Sequence, residues 1–281
     1  MTKKRYQFIN LTDWVKIVKI KRKIKKKYVI LTFDDGLKNV VINAYPIMKK
    51  IGAKGCLYIT SGIIDKNQLL WGDFIDVFIR NHSKNNSIFN FIYKGQKINY
   101  NLKSERNINN TIGEIKAKLR DMSIEERNSH LNLFKVKNNI QNFEKVPEDY
   151  LIANWKDLIL LKKEILEIGG HTRSHPNLEF LNDEKYFYKE LYGSKLKIEN
   201  KIGYPIKHFA YPGGYYNKFV IHYVKKYDYL TAVTVQEGFN SINTDLFELK
   251  RFNIKNDFLL FKFKISGLYN FLLKYFNIDI G

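Results

Sequence analysis

The apolar run Val29-Ile30-Leu31 passes without a break into Thr32-Phe33-Asp34-Asp35-Gly36. An apolar run that stops at a turn reads as a strand buried in a sheet. Asp-Gly supplies the turn, so two carboxylates are left side by side at the strand's carboxyl edge, where α/β proteins gather their ligands. Residues 39–51 follow with helical spacing up to Gly52, and Gly55-Cys56-Leu57-Tyr58-Ile59-Thr60 reads as the next strand. Strand, helix, strand opens a parallel α/β sheet. A solvated Asp-Gly turn accounts for the pentapeptide alone equally well, and a second stretch weighs against that.

Directly after Gly169-Gly170 stands His171-Thr172-Arg173-Ser174-His175-Pro176. Two histidines at i and i+4 on a short turn can aim both imidazoles at one point, and neutral imidazole is a common ligand for a divalent metal. With one carboxylate they make three protein ligands and leave a position for water. Four of the six histidines lie from His171 to His222, which makes a chance pairing with the aspartates harder to sustain. Two histidines and a carboxylate also describe the facial triad of non-haem iron oxygenases. The second, free carboxylate fits hydrolysis better.

These two stretches and the later Phe209-Ala210-Tyr211-Pro212-Gly213-Gly214 resemble, in that order, the first three motifs of the polysaccharide deacetylases, carbohydrate esterase family 4 with its NodB-homology domain. The resemblance covers residues 28–67 and 150–255. Between those two parts residues 68–149, far more chain than one βα unit requires, read as an inserted α+β subdomain, and the resemblance itself implies an α/β fold, a distorted (β/α) barrel. It further implies a divalent metal on Asp35, His171 and His175, with Asp34 as the base. Zinc is the first expectation, and the ligand set also admits Ni2+ or Co2+. The turn Tyr211, Pro212, Gly213 and Gly214 would bind substrate and lend a backbone N–H to the oxyanion.

Two departures from the family pattern matter. Ala210 stands where many members carry an arginine beside the catalytic aspartate, and Arg251 is the substitute that residue type suggests. No histidine follows His222, although the family's general acid is usually a histidine in a late Leu-x-His motif. Either His222 or His208 is recruited, or another group protonates the amine, or the protein is a catalytically impaired glycan-binding relative. The expected function is metal-dependent hydrolysis of an N-acetyl, or another N-acyl, group on an amino sugar of a polysaccharide, oligosaccharide or lipid-linked precursor. A sugar N-deformylase is the neighbouring alternative.

The chain has 281 residues, with 48 Lys and Arg against 28 Asp and Glu, for a net charge of +20. Such a field favours polyanions. Its cations are spread along the whole chain, so no specific nucleic acid is expected, while peripheral contact with anionic membrane stays open. The single cysteine, Cys56, sits in an apolar stretch and reads as core filler. Without a secretory h-region or a spanning apolar run, the expected location is cytoplasmic, with the inner membrane face as the alternative.

Residues 1–27 read as a polar, basic lead-in with a weakly amphipathic piece at Trp14-Val15-Lys16-Ile17-Val18, 28–257 as the catalytic domain and 258–281 as an aromatic, basic helix. Within the insertion, residues 87–102 suggest a hairpin around Lys94-Gly95, and Ser123 to Glu126 has the pattern of a capping box. Trp71 could stack on a sugar, though a tryptophan in an apolar cluster is more often core. Residues 155–168 are expected as one amphipathic helix ended by Gly169, 183–202 and 217–227 as helices, and 207–211, 230–235 and 247–254 as strands.

Overall fold

The computed structural model describes residues 6–20, 26–66, 68–137, 146–181, 183–254, 256–267 and 269. Strand β1 (Tyr6–Phe8) is followed by helix α1 (Leu11–Lys19), and β1 pairs in parallel with β2 (Lys27–Val29). Asn10 caps α1 by accepting from the Asp13 amide, which satisfies an otherwise orphaned helical donor. Leu11, Trp14 and Val15 of α1 are buried with Cys56, Tyr58, Ala210 and Val233. The expected polar lead-in is thereby corrected. The piece expected to be only weakly amphipathic belongs to a docked helix, in which Leu11, Trp14, Val15 and Val18 have i, i+3, i+4, i+7 spacing. Residues 21–25 of that run lie outside the described residues. Trp14 is 6% exposed, so Trp14→Ala is expected to cost about 3–5 kcal/mol in urea unfolding. A loss under about 1 kcal/mol is what an undocked surface residue would give.

Strand β3 (Leu31–Phe33) leads through a π turn at Val40–Ala44 into α2 (Tyr45–Ile51), where Pro46 stands in the first turn and Gly52 ends the helix at φ 67°. Glycine adopts the left-handed cap freely. Strand β4 (Gly55–Ile59) is buried throughout.

The chain then leaves the sheet for α3 (Trp71–Ser83), the hairpin β5 (Ile88–Tyr93) and β6 (Gln96–Asn101), α4 (Glu105–Arg120) and α5 (Ile124–Lys137). Lys94 and Gly95 make the hairpin turn with φ of 48° and 79°, as a two-residue turn of the primed kind requires. Ser123 and Glu126 exchange the reciprocal bonds of a capping box ahead of α5. Phe74, Phe78, Phe89, Phe91, Ile112 and Phe134 belong to a core separate from that of the sheet.

Helix α6 (Trp155–Ile159) is capped reciprocally by Asn154 and Asp157 and is short. Strand β7 (Leu166–Gly170) follows it and pairs with β4, Leu57 opposite Ile168. The single helix expected over 155–168 is therefore wrong. Gly169 does not stop a helix. A Cβ on Gly169 would lie 2.5 Å from Tyr58 and one on Gly170 2.5 Å from the Tyr229 hydroxyl, so both glycines let aromatic side chains close on the strand.

Helices α7 (Glu184–Phe187) and α8 (Gly193–Ile202) run on through a π turn at Tyr188–Tyr192 and end at Gly203. Strand β8 (His208–Ala210), helix α9 (Lys218–Lys226) and strand β9 (Thr231–Val233) complete the alternation. The strand expected over 247–254 reduces to one bridge, Leu249 to Val233, with Leu249 N–H donating to Ala232 O. Helix α10 (Phe258–Ser266) ends at Gly267; the expected helix beyond it, at 268 and 270–281, lies outside the described residues.

Strands β3, β4, β7, β8 and β9 form one parallel sheet in chain order. It is a curled half-barrel, the distorted barrel expected, and Leu57, Ile59, Leu166, Ile168 and Phe209 lie in its core. Because all five strands run the same way, the segments that follow them gather along one edge. Asp34 and Asp35 follow β3, His171 follows β7 and Tyr211 follows β8. No helix among the described residues is long and apolar enough to cross a membrane.

Candidate active site

Asp35 Oδ1 lies 3.5 Å from Nε2 of His171 and 3.5 Å from Nε2 of His175. The three ligand atoms fall within 4.8 Å of one another. Nδ1 of His171 is 2.8 Å from the Ala210 carbonyl. A carbonyl can only accept, so Nδ1 carries the proton and Nε2 turns a lone pair toward Asp35. Two acceptors cannot bond to each other, and Asp35 Oδ1 is buried without a hydrogen-bond partner. A cation between them is what this donor set fits, and one carboxylate with two imidazoles suits zinc or a neighbouring transition metal.

The electrostatics agree. Burial pushes the Asp35 carboxyl above the ordinary carboxylate range; His171 opposes the shift and Asp34 adds to it. Burial pushes the His175 imidazole down to about 3, helped by the neighbouring His171 and the charge of Arg127. Neither ligand is comfortable in its charged form by itself; a bound cation would restore the carboxylate at Asp35 and reinforce the neutral imidazole at His175, the two forms that ligate.

Asp34 has a different environment. Arg251 holds it with two parallel bonds of 2.8 Å, Nη1 to Oδ1 and Nη2 to Oδ2, while Nε donates to Thr234 O at 2.8 Å. Burial raises this carboxyl, but the Arg251 bonds, then the neighbouring His171 and the Arg251 charge, outweigh it, and its pKa falls below the ordinary value. Arg251 thus reaches Asp34 from beyond β9, and Ala210 leaves no arginine there.

The histidine turn is strained. Asp35, Thr172 and His175 have φ of 69°, 65° and 54°, a region that costs a non-glycine residue about 1–3 kcal/mol. Thr172 Oγ1 accepts from the His175 amide at 3.0 Å, and buried Glu190 accepts from the amides of Arg173 and Ser174 at 3.0 and 2.8 Å. The insertion adds a clamp. Trp71 Nε1 donates to His175 O at 3.0 Å, Arg127 Nη1 reaches the same oxygen at 3.4 Å, and the guanidinium lies 4.9 Å over the Trp71 ring. Trp71 packs against the core of the insertion, the commoner of the two roles expected for it, and its indole N–H in addition braces the backbone of a candidate metal ligand. Trp71→Phe keeps the ring and deletes the donor, and is expected to weaken metal binding about 10- to 100-fold. Competition with a chromophoric chelator measures this, and an unchanged affinity would remove the clamp from the account.

The turn after β8 contributes less than expected. The Tyr211 side chain is fully buried, donates from Oη to Phe247 O at 2.9 Å and stacks on Tyr216. It cannot touch substrate, a correction to the sequence expectation. The amides of Tyr211, Gly214 and Tyr215 donate to the carbonyls of Val233, Tyr211 and Pro212, and Pro212 has no N–H. Gly213, at φ 61°, keeps the one amide of the turn with no partner among the described residues.

His208 is not available as a proton donor. It is buried between Thr231 Oγ1 at 2.9 Å and Thr12 Oγ1 at 3.1 Å, with Glu167 3.6 Å away, at the start of β8 and so at the opposite end from Tyr211. His222 sits on α9 with its ring edge to Tyr223, and neither histidine belongs to the Asp35 cluster. The group that residue-by-residue reasoning passed over is Asp73, in the first turn of α3 two residues after Trp71. Burial, and then the charge of Asp35, push its carboxyl up to about 6. Nothing local in the sequence couples residue 73 to residue 35.

A family model described as polysaccharide deacetylase matches residues 21–232. Among solved structures, the chain is similar to the Streptococcus pyogenes deacetylase PplD in complex with acetate, at 19% identity and TM-score 0.55, over 89% of this chain and 74% of that one. It is also similar to IcaB from Ammonifex degensii, at 13% identity and TM-score 0.55, over 90% and 78%. A de-N-acetylase from Aggregatibacter actinomycetemcomitans matches at 14% identity and TM-score 0.55, over 92% and 83%. No curated protein matches the sequence.

Proposed function

The chain belongs to the polysaccharide deacetylase family, and from that premise we propose that it hydrolyses an N-acetyl group from an amino sugar, with a divalent metal on Asp35, His171 and His175. The observation that carries this reading is the orphaned Asp35 Oδ1 facing two imidazole nitrogens beside an arginine-held carboxylate. A metal bound there would lower the pKa of a water and polarise the acetyl carbonyl.

The remaining roles fall to the chain's own groups. Asp34, kept ionised by Arg251, takes the proton that the attacking water gives up as its oxygen bonds to the carbonyl carbon. Arg251 fixes the plane of that carboxylate. The Gly213 amide is the donor this turn can offer to the oxyanion. The carbon–nitrogen bond then breaks, releasing acetate, and the departing amine needs a proton. Asp73 is our candidate for that donor, since a carboxyl raised to about 6 carries a proton nearer neutrality than an ordinary aspartate does. A donor must be protonated, so its contribution declines as pH rises through about 6. Asp73→Asn is expected to lower the rate about 100-fold and to flatten that descending limb. An unaltered pH profile would hand the role to another group.

We read residues 68–149 as an inserted subdomain with its own core, set against the site through Trp71 and Arg127. The substrate we favour is an N-acetylated amino sugar of a glycan or its lipid-linked precursor, with zinc as the first metal to test. The direct experiment follows acetate release from N-acetylated oligosaccharides before chelation, after it, and after return of zinc. Loss and recovery of acetate are expected. Metal binding without acetate release from any of them would favour a glycan-binding role, and formate release from an N-formylated sugar would favour a deformylase.

A further inference from the structure

Against the histidine turn lies a cavity of about 420 Å³ that none of Asp34, Asp35, His171, His175 and Arg251 lines. Its wall carries four cations, Lys66, Arg127, Arg173 and Lys189, against two carboxylates, Glu125 and Glu190. Both carboxylates are already engaged. Glu190 accepts from two backbone amides and the Ser174 hydroxyl, and Glu125 accepts from Tyr186. Lys66, Arg173 and Lys189 have no ion pair or side-chain hydrogen bond among the described residues. Lys197 stands close enough for Lys66 and Arg173 to disfavour its charge, after the larger effect of its burial, so the positive field extends beyond the lining itself.

Arg127 is the independent observation. It is 2% exposed and, among the described residues, its Nε has no partner and its guanidinium, stacked on Trp71, makes a single hydrogen bond, the one of 3.4 Å to His175 O. A guanidinium has five N–H donors, and a buried one left without an acceptor, as at Nε, is costly. The lining balance of two positive charges matches a phosphate monoester, about −1.5 to −2 at neutral pH. At about 420 Å³ the cavity falls among ligand pockets of about 300–1,000 Å³ and exceeds what a bare phosphate fills.

We propose that this cavity is a phosphate site, with buried Arg127 and exposed Arg173 and Lys189 receiving the phosphate group of a ligand whose remaining part fills the space. That this part is a saccharide rests on the deacetylase reading above; the phosphate site does not. Arginine is suited to the task because its fork bonds phosphate oxygens in pairs.

Titration calorimetry of the metal-loaded protein with glucose 1-phosphate tests this, with inorganic phosphate and glucose run beside it. Glucose 1-phosphate has no amide, so deacetylation cannot contribute, and failure of the enzymatic reading leaves the result intact. Saturable binding at one site is expected, none with glucose, and Arg173→Ala/Lys189→Ala should weaken it about tenfold or more. Lys49→Ala/Lys50→Ala removes the same charge from exposed positions on α2 and should leave it unchanged. No saturable binding, or equal weakening in both double variants, would overturn the site in favour of the diffuse field of a basic chain. Inorganic phosphate binding as tightly as the sugar phosphate would overturn the saccharide part and assign the cavity to free phosphate.

Discussion

His171→Ala is expected to abolish metal binding and acetate release together. His171 is 1% exposed, its Nδ1 is spent on Ala210 O and its Nε2 faces Asp35, so no neighbour can replace the missing lone pair. Two ligands would remain, Asp35 and His175, too few for a site that must also hold water. Thermal unfolding with and without zinc separates this from a folding defect. A ligand that binds only the native state stabilises it by about 4 kcal/mol at a thousand times its Kd, so the native chain should gain melting temperature with metal and the variant should gain none. The variant's metal-free melting point will fall as well, because the Ala210 carbonyl loses its donor in a buried place. The zinc-dependent increment is therefore the decisive quantity. If the variant keeps it, the metal lies elsewhere.

What the sequence revealed and what it hid divide along one physical line. Asp34, Asp35, His171 and His175 were legible because each belongs to a short stretch whose local chemistry is unusual, and a parallel sheet necessarily brings strand ends to one edge. Arg251 was reached only by residue type, since its pairing with Asp34 spans 217 positions and has no local signature. Trp71 and Arg127 were hidden for the same reason, as their common partner is a backbone oxygen, His175 O, which no side-chain pattern announces. The error over 155–168 came from reading Gly169 as a helix stop, when the packing of Tyr58 and Tyr229 is what demands glycine there. At the N-terminus the amphipathic piece around Trp14 and Val15 was legible but its docking was not, because the strands that Leu11, Trp14 and Val15 pack against lie far along the chain. In each case the deciding partner was distant in sequence.

Asp34→Asn should separate catalysis from metal binding. The amide keeps the shape of the carboxylate but cannot accept the proton from water, so acetate release is expected to fall about 100- to 10,000-fold, while zinc affinity, set by Asp35 and the histidines, stays within a few-fold. Arg251 is 16% exposed and would lose both bonds to its carboxylate, so stability should fall too. The loss should be less than the roughly 3–5 kcal/mol of breaking a fully buried pair, because Asp34 is 29% exposed. Its pH dependence has a definite sign. A carboxyl whose folded pKa is lowered from 3.8 contributes stability above the unfolded value and loses it as pH falls through the folded one. The stability gap between native chain and variant should therefore be constant through neutral pH and close only in acid. Arg251→Lys supplies the complementary case, keeping the charge but losing the fork that fixes the carboxylate plane, and should reduce turnover less than Asp34→Asn with metal affinity intact. If Asp34→Asn instead strips the metal, Asp34 is a ligand, and the base must be sought among the other groups at this edge of the sheet.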